Sequence, residues 1–248
     1  MWLTRQFDAL ADAALALMYP LKCAACGEAS VERRADAPAC AACWARTSIS
    51  TGEETCCWKC GATALGEVPP EKRRDVYCRR CAGEAFTAAR AVGAYEGALR
   101  AAVLTLKCEP HISARLAGLL HAAQRRPPLD AATRIVPVPL HPERERERGF
   151  NQAAVIGHAL ARQSRLPLDL SSLVRTVHTE RHRAGMDARA RHETVEEAFV
   201  VRRPPLVENE LILLVDDVFT TGATASACAL ALKSAGARAV FVLTIARA

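Results

Sequence analysis

The chain has 248 residues, half of them apolar, which is enough to bury a sizeable core in one or two domains. Its formal charge is +6, from 33 Lys/Arg against 27 Asp/Glu, and residues 1–86 carry 11 of each sign, so the whole excess lies after residue 86. Such an excess is a mild pull toward anionic partners and does not by itself point to nucleic acid.

The opening stretch, "MWLTRQFDALADAALALMYP", places Trp2, Phe7, Leu10, Ala14, Leu17 and Met18 on one helical face. Asp8 and Asp12 interrupt the apolar run, so neither a secretory signal nor a membrane span is expected there. Residues 1–20 are expected to form an amphipathic helix ending at Pro20 and docked on the fold. With no leader or span, a cytoplasmic location is expected.

Nine of the 11 cysteines fall between positions 23 and 81, and eight of them pair as C-x-x-C: Cys23/Cys26, Cys40/Cys43, Cys57/Cys60 and Cys78/Cys81. Two-residue spacing lets one tight turn aim both sulfurs at one metal, and Gly27 and Gly61 follow two of the pairs where such a turn needs a positive φ. Two four-cysteine zinc sites are the natural count. A disulfide framework would need an oxidising compartment, and a redox role does not suit four tandem pairs. Cys57 is chosen over its neighbour Cys56 because it keeps the spacing. Whether the pairs combine in sequence or interleave stays open. Eight thiolates and two Zn²⁺ shift the charge by about four negative units, so the loaded chain sits well below +6. Cys108 and Cys228 lie in apolar helical patterns and are expected to be buried thiols.

After residue 87 strands and helices alternate. "AARAVGAY" begins with a strand. Leu99, Ala102, Val103 and Leu106 fall at helical spacing, and residues 112–125 repeat it with Leu116, Leu119 and Leu120. "RIVPVPL" (134–140) is a strand limited by its prolines. Residues 150–165 are a helix with Val155, Ala159 and Leu160 inward. "EAFVV" (197–201), "LILLV" (211–215) and "AVFVLTIA" (239–246) are strands, and residues 223–235 a helix closed by Gly236. The pattern predicts an α/β fold with a mostly parallel sheet flanked by helices. The expected division is 1–20 helix, 21–86 double zinc ribbon and 87–248 α/β domain.

Ligands bind such sheets beyond the carboxyl ends of the strands, where "LILLVDDVFTTGAT" places Asp216 and Asp217. Thr220, Thr221, Gly222, Ala223 and Thr224 are small, so their backbone N–H groups can wrap a phosphate at the positive end of the next helix. G-x-x-x-x-G-K is absent, which rules out a nucleoside triphosphate P-loop. The acids suit a ligand that also carries a vicinal diol, as a sugar phosphate does. Both acids can face one ligand only if the strand ends at Val215, because adjacent strand residues point to opposite faces. Acids and threonines at a strand-to-helix turn are otherwise ordinary caps.

"LLVDDVFTTGAT" resembles the phosphoribosyl pyrophosphate signature of type I phosphoribosyltransferases. With the four C-x-x-C pairs ahead of it and "VPVPLHPERERERGFNQ", the chain closely resembles the competence protein F (ComF) family. The resemblance implies that Asp216 and Asp217 contact the ribose hydroxyls and that Thr220 to Thr224 hold the 5′-phosphate. It implies a pyrophosphate-binding loop at 140–152, with Arg148 and Gly149 as its contacts; Phe150 packs, Asn151 caps, and Arg144 and Arg146 are surface charges. Taken alone that loop is a solvated run of alternating Glu and Arg. Residues 175–193 resemble a cationic hood that closes over substrate, with Arg175 and Arg191 matching the family and Arg183 and Thr194 departing from it. Lys107 also matches, with surface position as its default.

Two functions follow from the resemblance. One is a phosphoribosyltransferase that binds Mg²⁺–phosphoribosyl pyrophosphate, expels pyrophosphate with Asp216, Asp217 and Arg148 at its centre, and pentosylates an acceptor that the residues do not name. The other is a non-catalytic phosphoribosyl pyrophosphate sensor that binds single-stranded DNA during DNA uptake in natural transformation. For the second, Lys59, Lys72, Arg73, Arg74, Arg79 and Arg80 form a basic cluster beside Trp58 and Tyr77.

Overall fold

A computed structural model of the chain describes residues 20–176 and 198–248. The expected helix at 1–20 therefore lies outside the described residues except for Pro20, as do Arg191, Arg183, Thr194 and nearly all of the hood. The strands are β1 (Ala88–Ala94), β2 (Arg134–Pro137), β3 (Leu173–Arg175), β4 (Phe199–Val201), β5 (Leu211–Phe219) and β6 (Ala239–Arg247). The helices are α1 (Ala41–Arg46), α2 (Gly97–Leu106), α3 (Ala114–Gln124), α4 (Pro142–Arg148), α5 (Gln152–Ser164) and α6 (Ala223–Ser234).

Four strands form one parallel sheet in the order β1-β6-β5-β2. The continuous apolar run of β5 is explained by cover on both faces. Leu213 and Val215 join a core with α2, α3 and α5, while Ile212 and Leu214 join another with α6. All four are fully buried, each contributing about 1.5–3 kcal/mol of transfer free energy. Expected inward residues Leu99, Ala102, Val103, Leu106, Leu116, Leu120, Ala159 and Leu160 are buried, and Leu119 and Val155 pack against the first core. Ser113 caps α3 by accepting from the Leu116 N–H at 3.4 Å. Gly236 follows α6 in the left-handed region at φ +95°.

The ribbons are not appended beside this sheet. Cys23, Cys40, Cys43 and Trp44 belong to the core on the α2/α3/α5 face, and Cys57, Cys60 and Cys81 to the core on the α6 face. The segment joining them also covers the edge strand: the Ser50 N–H donates to Val92 O at 2.8 Å, and the Ala94 N–H to Ser48 O at 3.1 Å. Further along, the Ala89 N–H donates to Lys59 O at 2.6 Å. A paired edge does not recruit foreign strands.

Four expectations need correction. β5 does not stop at Val215; it stays paired to β6 through Asp216↔Thr244 and Phe219↔Arg247. The strand at 199–201 pairs antiparallel with Leu173–Arg175 and lies outside the main sheet. The charged stretch after β2 is helical over Pro142–Arg148, because Pro142 presets the first turn, His141 Nδ1 accepts from the Glu143 N–H at 3.3 Å, and Gly149 at φ +83° ends it. Cys108 is exposed, since α2 ends at Leu106 and leaves it in a turn; Cys228 is buried as expected. Among the described residues no helix is long and apolar enough to cross a membrane.

Candidate functional site

The cysteines form two clusters in sequence order, Cys23/Cys26/Cys40/Cys43 and Cys57/Cys60/Cys78/Cys81, with the sulfurs of each within 4.8 Å of one another. Both knuckles are built alike. The Gly27 N–H donates to Cys23 O and the Gly61 N–H to Cys57 O, each at 2.8 Å, with φ +75° and +73°. Gly61 is also needed for space, because a Cβ there would meet Ala89 O at 2.6 Å. In the second cluster the Cys57–Cys81, Cys60–Cys78 and Cys78–Cys81 sulfurs lie 3.5, 3.5 and 3.4 Å apart. A tetrahedral zinc with bonds of about 2.3 Å needs sulfurs about 3.8 Å apart, so the donor set fits Zn²⁺. Burial pushes the Cys57 thiol up, but the Cys60 and Cys78 backbone N–H groups and neighbouring thiols outweigh it and bring it down to about 6, toward the thiolate that zinc needs. Cys56 is left out of the cluster.

The β5 tip is assembled from separate segments. Asp216 and Asp217 are half-buried and sit on a regular strand, so they leave it on opposite faces. At the strand tip the two carboxyls nonetheless come close enough for that of Asp217 to act directly on that of Asp216. Each is bent onto the chain ahead: the Asp217 N–H donates to Asp216 Oδ1 at 2.9 Å, and the Val218 N–H to Asp217 Oδ1 at 2.8 Å. Asp217 Oδ2 accepts from Gln152 Nε2 at 3.5 Å, at the start of α5. The Asp216 carboxyl is perturbed. Burial and then the charge of Asp217 push its carboxyl up to about 8, against the Asp217 N–H and the Lys107 ammonium. On the same face the Cys228 thiol is pushed up by burial and by Asp216, and held back by Arg175. Arg175 lies on β3 with its guanidinium 5.5 Å from the Phe199 ring centroid.

The turn that follows is shaped for a glycine. Gly222 is the N-cap of α6 at φ +91°, and a Cβ there would meet Phe219 Cζ at 2.8 Å. Phe219 in turn packs edge-on to Phe86, centroids 5.7 Å apart. Thr220, Thr221 and Thr224 are exposed, Ala223 is half-buried, and Thr221 Oγ1 accepts from the Ala223 N–H at 3.3 Å. The first N–H groups of α6 point out of the helix at this end.

The loop after β2 leaves the same sheet edge, since β2 is the neighbour of β5. Arg148 is half-buried, and its Nη1 is buried with no hydrogen-bond partner among the described residues. Asn151 caps α5 through the Ala153 N–H at 2.9 Å and donates to Val138 O at 3.0 Å. Phe150 is half-buried; Arg146 is exposed, whereas Arg144 is half-buried and engaged. Two residues gain a place that sequence reasoning did not give them. Gln152 is buried against Asp217, and its only signal was its position in "RGFNQ". Lys107, taken for a surface lysine, is half-buried and close enough to Asp216 to act on its charge.

Fold and clusters together define an α/β protein with a parallel sheet carrying a double zinc ribbon. Residues 14–82 match the family model described as a double zinc ribbon domain. The resemblance carried by the motifs extends to curated relatives. The chain is 32% identical over 145 residues to competence protein F of Haemophilus influenzae, covering 55% of this chain and 62% of that protein. It is 36% identical over 129 residues to DNA utilization protein YhgH of Escherichia coli K12, covering 52% and 55%. It is 34% identical over 112 residues to competence protein ComFC of Bacillus subtilis, covering 44% and 43%. Each match thus spans less than two thirds of the relative's length. A solved glutamine phosphoribosylpyrophosphate amidotransferase from B. subtilis aligns at a TM-score of 0.36 and 19% identity over 52% of this chain and 25% of that one.

Proposed function

We propose that the chain binds Mg²⁺–phosphoribosyl pyrophosphate at the β5 tip and serves DNA uptake in natural transformation, in the cytoplasm, in keeping with the names of its relatives. The observation that carries the ligand is the join of Asp216 and Asp217 to the Gly222 turn at the start of α6. Thr220, Thr221, Gly222, Ala223 and Thr224 take the 5′-phosphate. Asp216 and Asp217 serve the ribose hydroxyls, one by contact and the other through its neighbour. Mg²⁺ comes with the ligand, held by its phosphates and by these acids directly or through water. Arg148, with Gly149 beside it, supplies an unpaired donor for pyrophosphate, and Arg175 and Arg191 add charge from the hood. Transfer of the phosphoribosyl group to an acceptor is the enzymatic form of this reading. Calorimetry with Mg²⁺–phosphoribosyl pyrophosphate tests the site, and a parent protein that binds none removes it. Pyrophosphate release across a panel of nucleobases and amines separates enzyme from sensor.

A second reading, single-stranded DNA binding by the ribbons, is favoured by the exposure of Tyr77, Lys72, Arg74, Arg79 and Arg80 on one short stretch. Its test is oligonucleotide binding that falls steeply with salt. Salt-insensitive or absent binding rejects it.

A further inference from the structure

The ribbon segment covers the edge of β1 at Ala89 and again at Val92 and Ala94, but not between them. There, Arg90 and Ala91 line a cavity of about 350 Å³. Its other walls are the loop at 50–54, Trp58 of the second knuckle, the turn Pro70–Asp75, and the chain after α3. The cavity lies beside β1, and β6 stands between β1 and β5 in the sheet.

Four arginines line it, Arg73, Arg74, Arg90 and Arg126, and none lies within 4.0 Å of a carboxylate among the described residues. Two are held by carbonyl groups, which fix a guanidinium without neutralising it. Arg90 Nη1 donates to Trp58 O at 2.9 Å and Ala89 O at 2.8 Å, and Arg126 Nη1 donates to Ser50 O at 2.7 Å. Arg73 Nε is buried with no hydrogen-bond partner among the described residues, a donor whose desolvation nothing offsets. Glu53 and Glu54 are the opposing charges. Glu54 is already occupied: it accepts the Thr51 and Gly52 N–H groups at 2.6 and 2.9 Å and the Ser50 hydroxyl at 3.0 Å. With four guanidiniums against two carboxylates the cavity keeps a positive excess, and two of the guanidiniums are set in place before any ligand arrives.

The second component is aromatic. The Arg74 and Arg90 guanidiniums lie 5.4 and 5.1 Å from the Trp58 ring centroid. Guanidinium planes over an indole make a stack that a planar heterocycle can extend.

The geometry points to a nucleoside phosphate site in this cleft, with the base on the Trp58–arginine stack and the phosphate on the free guanidinium donors. The volume suits one nucleotide. The nucleotide is either free or one unit of a single strand; the chemistry is shared, and the experiment distinguishes the sources. The site does not depend on the phosphoribosyl reading.

The test is calorimetry on the zinc-loaded full chain with adenosine monophosphate. Binding is expected to weaken about tenfold or more in Arg73→Ala/Arg74→Ala and about threefold in Trp58→Phe. Adenosine and inorganic phosphate should each bind about tenfold more weakly than the nucleotide, because each lacks half of the contacts. Binding in the cleft should persist in Asp216→Asn/Asp217→Asn, which removes the ribose-diol acceptors of the β5 tip. Displacement of the nucleotide by oligothymidylate assigns the site to a strand, and no displacement assigns it to a free nucleotide. Absence of binding at millimolar nucleotide overturns the proposal. So does binding that survives the double arginine variant and disappears in the double aspartate variant. Arg73 and Arg74 lie on a surface turn, so their variant keeps the test valid even if Trp58→Phe does not fold.

Discussion

The two cysteine clusters and the β5 tip are built on opposite plans. Each cluster is written within a short stretch, residues 23–43 and 57–81, and the same knuckle turn recurs in both. The β5 tip draws on distant segments: Asp217 meets Gln152 from α5, Asp216 feels Lys107 after α2, and Asp216 and Arg175 on β3 both act on Cys228 of α6. A local metal site is set by spacing and donor chemistry. A distributed site exists only once the sheet has formed. The clusters also pack into the cores on the two faces of that sheet, so the local plan supports the distributed one.

The largest expected effect breaks this comparison at its base. Zinc removal by a strong chelator, or Cys57→Ser, should cost on the order of 10 kcal/mol of apparent stability. Because Cys57, Cys60 and Cys81 share a core with α6, the loss should reach the sheet. Hydrogen exchange checks this: if β5 and β6 amides stay protected while residues 57–81 exchange, the two parts are independent. The next effect is on the tip alone. Asp216→Asn/Asp217→Asn should weaken Mg²⁺–phosphoribosyl pyrophosphate by about 100-fold, roughly 2.7 kcal/mol, with zinc content unchanged. Calorimetry and metal analysis on the same sample separate the two regions.

Gly222→Ala sharpens the distinction, because it combines φ +91° with a Cβ 2.8 Å from Phe219 Cζ. We expect a loss of about 1–3 kcal/mol in chemical denaturation. A neutral result would mean that Phe219 and the turn yield easily. A pH effect follows from Asp216. Its carboxyl is raised to about 8 in the folded chain, so folding favours its protonated form. The stability that this proton confers is complete below the ordinary carboxylate range and is lost as pH rises through about 8. A ligand that needs the ionised carboxylate should bind more tightly from pH 6 to 8, by at most about tenfold per unit, and level off above. The slope should vanish in Asp216→Asn; affinity flat across that window in the parent would separate Asp216 from the ligand. The smallest effect is local: Asn151→Ala removes the α5 cap and should cost about 1 kcal/mol, measured by thermal melting.

The cysteine sets were legible because C-x-x-C spacing fixes which sulfurs can share a turn, and Gly27 and Gly61 mark those turns. Strand and helix existence was legible in the periodicity of the core positions, such as Leu99 to Leu106. The order of the sheet was not, because pairing β1 with β6 depends on contacts far apart in the chain. Neither was the helix at Pro142–Arg148, whose alternating charges have no apolar period to betray it. The extension of β5 through Asp216 and Asp217 escaped notice because two acids look like a strand end, while β6 continues to supply backbone partners beside them.

By itself, then, the sequence determined the metal-ligand chemistry, the α/β alternation and the small-residue turn after Asp217, since each depends on neighbours a few residues away. Only the tertiary structure decided that the ribbons pack on both faces of the sheet, that Gln152 and Lys107 attend the aspartates, and that four arginines and Trp58 line one cleft beside β1. Those arrangements are fixed by long-range packing and by burial of charge, which no local pattern encodes.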